Sequence, residues 1–315
     1  MTDAKHLDGI GQASGSLLEV LEKLKEGKLG GIQDTFKYNS RDLILYALGI
    51  GSSVKNENDL KFLYENHPEF SAIPTYFVLP GLLLSMTTNI VSDALPSGDA
   101  HLSNILHGEQ YLEICDEIPT SGTLTTIGQV FDVMDKGSGA LVVTNADTYD
   151  ESGRLLVKNQ CATFIVGSGK FGGKKTPKNG VVPIVNAPNR SPDAMCQYKT
   201  TEDQAALYRL SGDLNPLHID PDFAAIGGFK TPILHGLCSL GFSVRAILAK
   251  YANNNVSLFK AVKARFSAAV IPGQTLRIDM WKEDKRVLFT TTVVETGKKA
   301  IIGGYVDLKD ISSKL

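Results

Sequence analysis

The 315-residue chain reads as an α+β fold in which a helix is wrapped by an antiparallel sheet, twice over. Two features predict this. Runs rich in Val, Ile, Thr and aromatic residues, punctuated by Gly-containing turns, fill 105–167 and recur over 258–308. Each block follows an apolar helical stretch, at 81–95 and at about 235–251. A third feature, a set of landmarks, ties the halves together. Leu45-Tyr46 is answered by Leu207-Tyr208, and Ile118-Pro119 with Gly122 and Leu124 is answered by Ile271-Pro272 with Gly273 and Leu276.

Composition is that of a globular chain, 43% apolar and 21% charged, with a formal net charge of -2. Such a balance offers no broad footprint for nucleic acid. Cys115, Cys161, Cys196 and Cys238 are widely spaced and form no CxxC, so they carry neither a disulfide nor a zinc signature. No apolar run reaches the ~18 residues of a membrane span, and the first residues lack the apolar core of a secretory signal. The final Ser313-Lys314-Leu315 matches the peroxisomal import address, which a receptor reads.

In order, 1–27 reads as an extension whose residues 16–26 form an amphipathic helix with Leu17, Leu18, Leu21 and Leu24 on one face and Gly27 as its stop. The first half, 28–167, opens with a strand end, a turn and a helix through Leu43–Leu48. A polar stretch (52–70), the apolar helix 81–95 and four strands follow. Gly137-Ser138-Gly139 and Ser152-Gly153 stand at the hairpin turns. Residues 168–197 read as a linker. Its Gly/Lys run, beginning at Gly167, fails the spacing of a phosphate loop, and Pro177 stands where the helix of such a loop would start. The second half, 198–315, repeats the order, with Thr200 or Thr201 available to cap a helix before Ser211-Gly212. A sheet around a helix, twice in one chain, fits two hot-dog units side by side.

The chemistry-bearing residues concentrate between Tyr208 and Leu248. Asp213, Asn215 and His218 lie on a loop stiffened by Pro216 and Pro221. A curled loop can bring the carboxylate and imidazole to one point, where they would act on a water as a general acid/base pair. The same spacing also suits a capping Asp and a structural His. Asn215 can orient a water or satisfy turn backbone, and Asp220 reads as a cap. Gly236, opening a helix after His235, can offer its N–H to a developing oxyanion or simply pack tightly.

The string R-L-S-G-D-x-N-P-x-H-x-D-P over 209–221, continued by G-G-F and P-I-L-H-G-L, resembles the signature of MaoC-like (R)-specific enoyl-CoA hydratases, most closely the hydratase 2 unit of peroxisomal multifunctional enzymes. The resemblance runs from about 28 to 310 and takes in HGEQYLE, VMDKGSG and FIVGSGKFGGK. It implies a double hot-dog that adds water to trans-2-enoyl-CoA to give (3R)-3-hydroxyacyl-CoA in peroxisomal β-oxidation. Asp213 and His218, with Asn215, would hold the water, and Gly236 N–H would meet the thioester carbonyl. No metal and no cofactor is implied. Lining and CoA contacts would come from His107, Gly108, Lys136, Leu214, Pro216, Leu217, His235 and Phe266.

The resemblance further implies a homodimer in a peroxisome. The first half lacks the catalytic string, reading Gly49-Ile50-Gly51-Ser52 where it would stand, so one site per chain is expected. No dehydrogenase start precedes it, so if Met1 is the natural start the chain reads as a stand-alone hydratase. Dehydration in fatty-acid synthesis, thioester hydrolysis and acyl-CoA binding without turnover are the alternatives.

Overall fold

The computed structural model describes residues 31–98 and 100–310 together with Leu18, Glu22 and Glu26. The import tripeptide and most of the expected N-terminal helix lie outside the described residues. Among the described residues ten strands form one sheet. They are β1 (Ile32–Tyr38), β2 (Ile105–Ile114), β3 (Gly122–Asp135), β4 (Gly139–Tyr149), β5 (Leu155–Val166), β6 (Ala194–Lys199), β7 (Phe259–Phe266), β8 (Thr275–Glu283), β9 (Arg286–Val293) and β10 (Lys299–Leu308). The order β1-β3-β4-β5-β2-β7-β10-β9-β8-β6 is antiparallel throughout. Read inward from either edge, the two halves have the same connectivity. They meet at β2 and β7, where Glu109 stands opposite Arg265. The Glu109 carboxylate there binds the buried Lys263 Nζ at 2.7 Å and Arg265 Nη2 at 2.6 Å.

The helices are α1 (Ser40–Gly49), α2 (Leu79–Thr87), α3 (Ile90–Asp93), α4 (Gln204–Tyr208), α5 (Pro221–Ile226) and α6 (Gly236–Tyr251). The main core runs through both halves, with Tyr46, Phe77, Leu240, Val244 and Phe289 among its fully buried members. Tyr46 and Tyr208, the residues paired by the internal repeat, meet with ring centroids 5.8 Å apart. Among the described residues no helix is long and apolar enough to cross a membrane.

Four local expectations change. The helix expected over 81–95 is two pieces, broken at Thr88 in an extended conformation. Thr87 and Thr88 hydroxyls donate to Leu83 O and Leu84 O at 2.9 and 2.6 Å, giving the backbone an alternative to further helix. Strand β1 extends the strand end expected before α1 back to Ile32, β6 adds to the strands expected, both lie at sheet edges, and β6 straddles the expected 197/198 boundary. Neither Thr200 nor Thr201 caps α4. Asp203 holds the cap position without a side-chain bond, while Thr200 Oγ1 donates to Gln274 O at 2.7 Å.

The Gly/Lys segment is a strap across the outer face of the sheet. The Asp135 carboxylate accepts from Lys170 N and Gly172 N, and Asp132 accepts from Lys178 N, each at 2.9 Å. Further on, Gly180 O accepts from Gln160 Nε2 at 3.1 Å, and Trp281 Nε1 donates to Arg190 O at 2.9 Å.

Candidate active site

A cavity of about 680 Å3 lies where the halves meet. Its walls come from α2 and the break after it, from β2, β4 and β5 of the first half, and from the loop before α6 and the end of β7. Thr88, Asn89, Val91 and Ser92 line it, so the interruption of the first half's helix opens the space. Asp213, Asn215, Leu217, His218, Gly236, Phe266 and His107 all face it.

The loop after α4 is built turn by turn. Gly212 takes φ 134°, a backbone geometry that a side chain would strain. Asn215 Oδ1 then accepts from Leu217 N at 3.0 Å and caps the short 3-10 turn Pro216–His218. Asp220 caps α5 in the same way through Asp222 N at 2.8 Å, the role its spacing indicated. With Asn215 Oδ1 committed to the turn, its amide nitrogen is the donor that remains for the cavity.

His218 Nδ1 lies 2.8 Å from Ile233 O. A carbonyl oxygen only accepts, so Nδ1 carries the hydrogen and Nε2 is left with a lone pair. The Asp213 carboxylate lies within 4.8 Å of the His218 and His235 nitrogens, room for one water held between acid and base. Asp213 and His218 are only 8% and 9% exposed, so bulk water does not screen the pair. Burial holds His218 below the ordinary imidazole value, and the Asp213 charge and the Ile233 carbonyl offset part of that. Its neutral, proton-accepting form is therefore favoured at neutral pH.

His235 is a supporting residue, set back from the cavity lining. Its ring stacks on His218 at 3.7 Å between centroids, and its Nε2–H donates to Asp213 O at 3.1 Å. Burial and then the neighbouring His218 hold it far below the ordinary range. Asp213, His218 and His235 are close enough in space for a shared metal ion. The stacking argues against one, because in-plane lone pairs of near-parallel rings run side by side and do not converge.

Gly236 is the first residue of α6, where a helical N–H has no acceptor within the helix. A Cβ there would stand 3.0 Å from Phe266 Cδ1, so glycine lets the ring close on the helix end. The cavity thus brings a carboxylate and a neutral imidazole together with a backbone N–H backed by the helix dipole.

The other candidates distribute unevenly. Gly108 makes a bulge in β2, where the register slips between His107 and Glu109, and this turns His107 inward. Phe266 meets His107 edge to face at 5.2 Å. Pro216 shapes the turn without lining the cavity, and Leu214 is 55% exposed. Lys136 also stands apart from the lining, with Nζ donating to Lys175 O at 2.5 Å. Cys161, Gln110 and Asn159 line the cavity and were not singled out from sequence. An isolated glycine within a strand pattern signals a bulge, so Gly108 could have pointed to the aim of His107. Nothing in the sequence pointed to Cys161.

Residues 36–167 match the MFE-2 hydratase 2 N-terminal domain and residues 183–303 match the MaoC like domain. The peroxisomal multifunctional enzyme type 2 of Drosophila melanogaster is 68% identical over 316 residues, covering 100% of this chain and 53% of that protein. The chain thus spans about half the length of that relative. The peroxisomal enoyl-CoA hydratase 2 of Arabidopsis thaliana is 38% identical, covering 89% of this chain and 93% of its own length. Among solved structures, a MaoC-like dehydratase from Phytophthora capsici superposes with a TM-score of 0.78 at 38% identity, covering 89% of this chain and 96% of that one. With both domain signatures in tandem and nearly the full length of hydratase 2 relatives matched, the chain belongs to the MaoC-like hydratase 2 family.

Proposed function

We propose that this chain is an (R)-specific 2-enoyl-CoA hydratase of peroxisomal β-oxidation, converting trans-2-enoyl-CoA to (3R)-3-hydroxyacyl-CoA. The observation that carries the reading is the grouping of Asp213, Asn215, His218 and Gly236 along one wall of a largely apolar cavity. A water between Asp213 and His218 Nε2 gives up a proton as its oxygen bonds to C3. The pair returns a proton to C2 on the same face. Charge that builds on the thioester oxygen meets the Gly236 N–H, a contact that in comparable sites contributes ~3–4 kcal/mol at the transition state. No electron changes hands and no bond requires a Lewis acid, so the chemistry calls for neither a redox cofactor nor a metal.

Acyl-CoA as substrate and the peroxisome as location accord with the names of the relatives. A homodimer and an import receptor taking Ser313-Lys314-Leu315 complete the proposal. The test is loss of the ultraviolet absorbance of the conjugated enoyl thioester on adding the protein. Asp213→Asn and His218→Gln are each expected to lose at least roughly 100-fold in kcat. Retained turnover in either folded variant would overturn the assignment.

A further inference from the structure

The cavity holds a reactive group that hydration does not use. Cys161 on β5 faces it, with Sγ 3.4 Å from His107 Nε2 and 3.5 Å from Thr163 Oγ1. A chain of buried amides orients the imidazole. Asn159 Nδ2 donates to Phe77 O at 2.9 Å, so its Oδ1 accepts from Gln110 Nε2, also at 2.9 Å. Gln110 Nε2 donates again to Tyr111 O at 2.8 Å, which leaves Gln110 Oε1 to accept from His107 Nε2 at 3.1 Å. The His107 Nε2–H is thereby aimed at an amide oxygen and the Cys161 sulfur together, a donor placed to stabilise a thiolate. Burial raises the thiol, but the His107 charge and hydrogen bond and then Thr163 more than reverse this and hold Cys161 below the ordinary thiol value. The other cysteines go the opposite way: burial pushes Cys115 up to about 11, and raises Cys196 and Cys238 as well.

We propose that Cys161, set against His107, is a covalent capture site for α,β-unsaturated carbonyl lipids, that is, enals and enones carrying an apolar tail. Leu82, Met86, Val91, Ile105 and Phe229 supply the apolar wall for the tail. The sulfur adds to the β-carbon and an S–C bond forms. The π pair moves toward the carbonyl oxygen as an enolate, and the proton lost by the thiol ends on the α-carbon. Every atom of both reactants is retained and nothing else is consumed. The capture requires the cavity and the sulfur but neither Asp213 nor His218, so it stands apart from hydration.

The test treats the wild-type chain with trans-2-nonenal, reduces the adducts with borohydride and maps all four cysteines by peptide mass over time. Cys161 is expected to label at least roughly tenfold faster than the exposed Cys115. Saturated nonanal should give no cysteine adduct. His107→Gln should slow Cys161 by about tenfold and leave Cys115 unchanged. Labelling should persist in Asp213→Asn, which separates capture from hydration. Equal or faster labelling of Cys115 in the wild type would overturn the proposal without recourse to any variant, and so would a Cys161 rate indifferent to His107.

Discussion

The imidazole of His235 lies face to face with that of His218, with centroids 3.7 Å apart and planes 27° from parallel. Each ring gives one N–H to a backbone carbonyl, His218 to Ile233 and His235 to Asp213. Two imidazolium rings at this distance would repel strongly in a dry site, so the stack opposes protonation of either ring while its partner is charged. The stack therefore acts on the more deeply buried ring: a charged His218 holds His235 neutral.

This relationship sets a pH dependence. Both histidines titrate below the ordinary imidazole value of 6.5, mainly through burial. The unfolded chain therefore takes up protons near 6.5 that the folded chain refuses, and stability falls as pH drops through that window and levels off above it. His107 and Asp147 are raised and contribute with the opposite sign, so the two rings are read by difference: between about pH 8 and pH 5 the urea midpoint of His235→Asn should fall less than that of the wild type. The acid limb of kcat/KM is likewise expected below 6.5. An inflection above that value would contradict a depressed His218.

Asn215 caps the turn at Pro216–His218, and the proposed reaction gives its amide a second role that one variant separates. Asn215→Ser keeps a side-chain acceptor able to cap Leu217 N, so stability should hold within about 0.5 kcal/mol. It removes the amide donor that faces the cavity, and kcat should fall by roughly 100-fold. Unchanged kcat would reduce Asn215 to a turn cap.

At Gly236 the ring of Phe266 leaves tight space for a methyl group. Gly236→Ala places Cβ 3.0–3.2 Å from three ring carbons, so the helix end or the ring must shift. A displaced N–H is expected to cost roughly 10- to 100-fold in kcat. Adding Phe266→Leu should restore part of it. If Gly236→Ala alone is silent, the carbonyl donor lies elsewhere.

Asp59 and Arg245 bridge the halves. Arg245 Nη1 meets Asp59 Oδ2 at 3.2 Å, Arg245 Nε meets Ile50 O at 3.2 Å, and the guanidinium lies 4.6 Å from the centroid of Tyr198. Both residues are almost wholly buried. Asp59→Ala leaves a buried guanidinium without its charge partner, at a cost of roughly 3–5 kcal/mol. Chemical denaturation reads this directly, and a loss below ~1 kcal/mol would show that water reaches the site.

Eight of the ten strands were legible because alternation and turn glycines mark them. Of β1 only the end before α1 was legible, and of β6 nothing, since edge strands such as Ile32–Tyr38 alternate between exposed and half-buried positions and carry little apolar signal. The break at Thr88 was hidden because apolar residues continue past it, and the hydroxyl bonds that end the helix leave no periodic trace. The strap over β3 depends on Asp132 and Asp135, whose partners lie some forty positions away and resemble ordinary loop glycines and lysines. That Asp213, His218 and Gly236 come together at one cavity was legible from motif and position. The His107–Cys161 contact arises from a bulge and a cross-strand register that no local pattern encodes.

The most direct test of the proposed reaction is the configuration of its product. Incubated with a trans-2-enoyl-CoA, the chain should yield 3-hydroxyacyl-CoA that is almost wholly (3R) by chiral chromatography after hydrolysis of the thioester. A racemic or (3S) product, or release of the free enoic acid, would contradict (R)-specific hydration by Asp213 and His218 in this cavity.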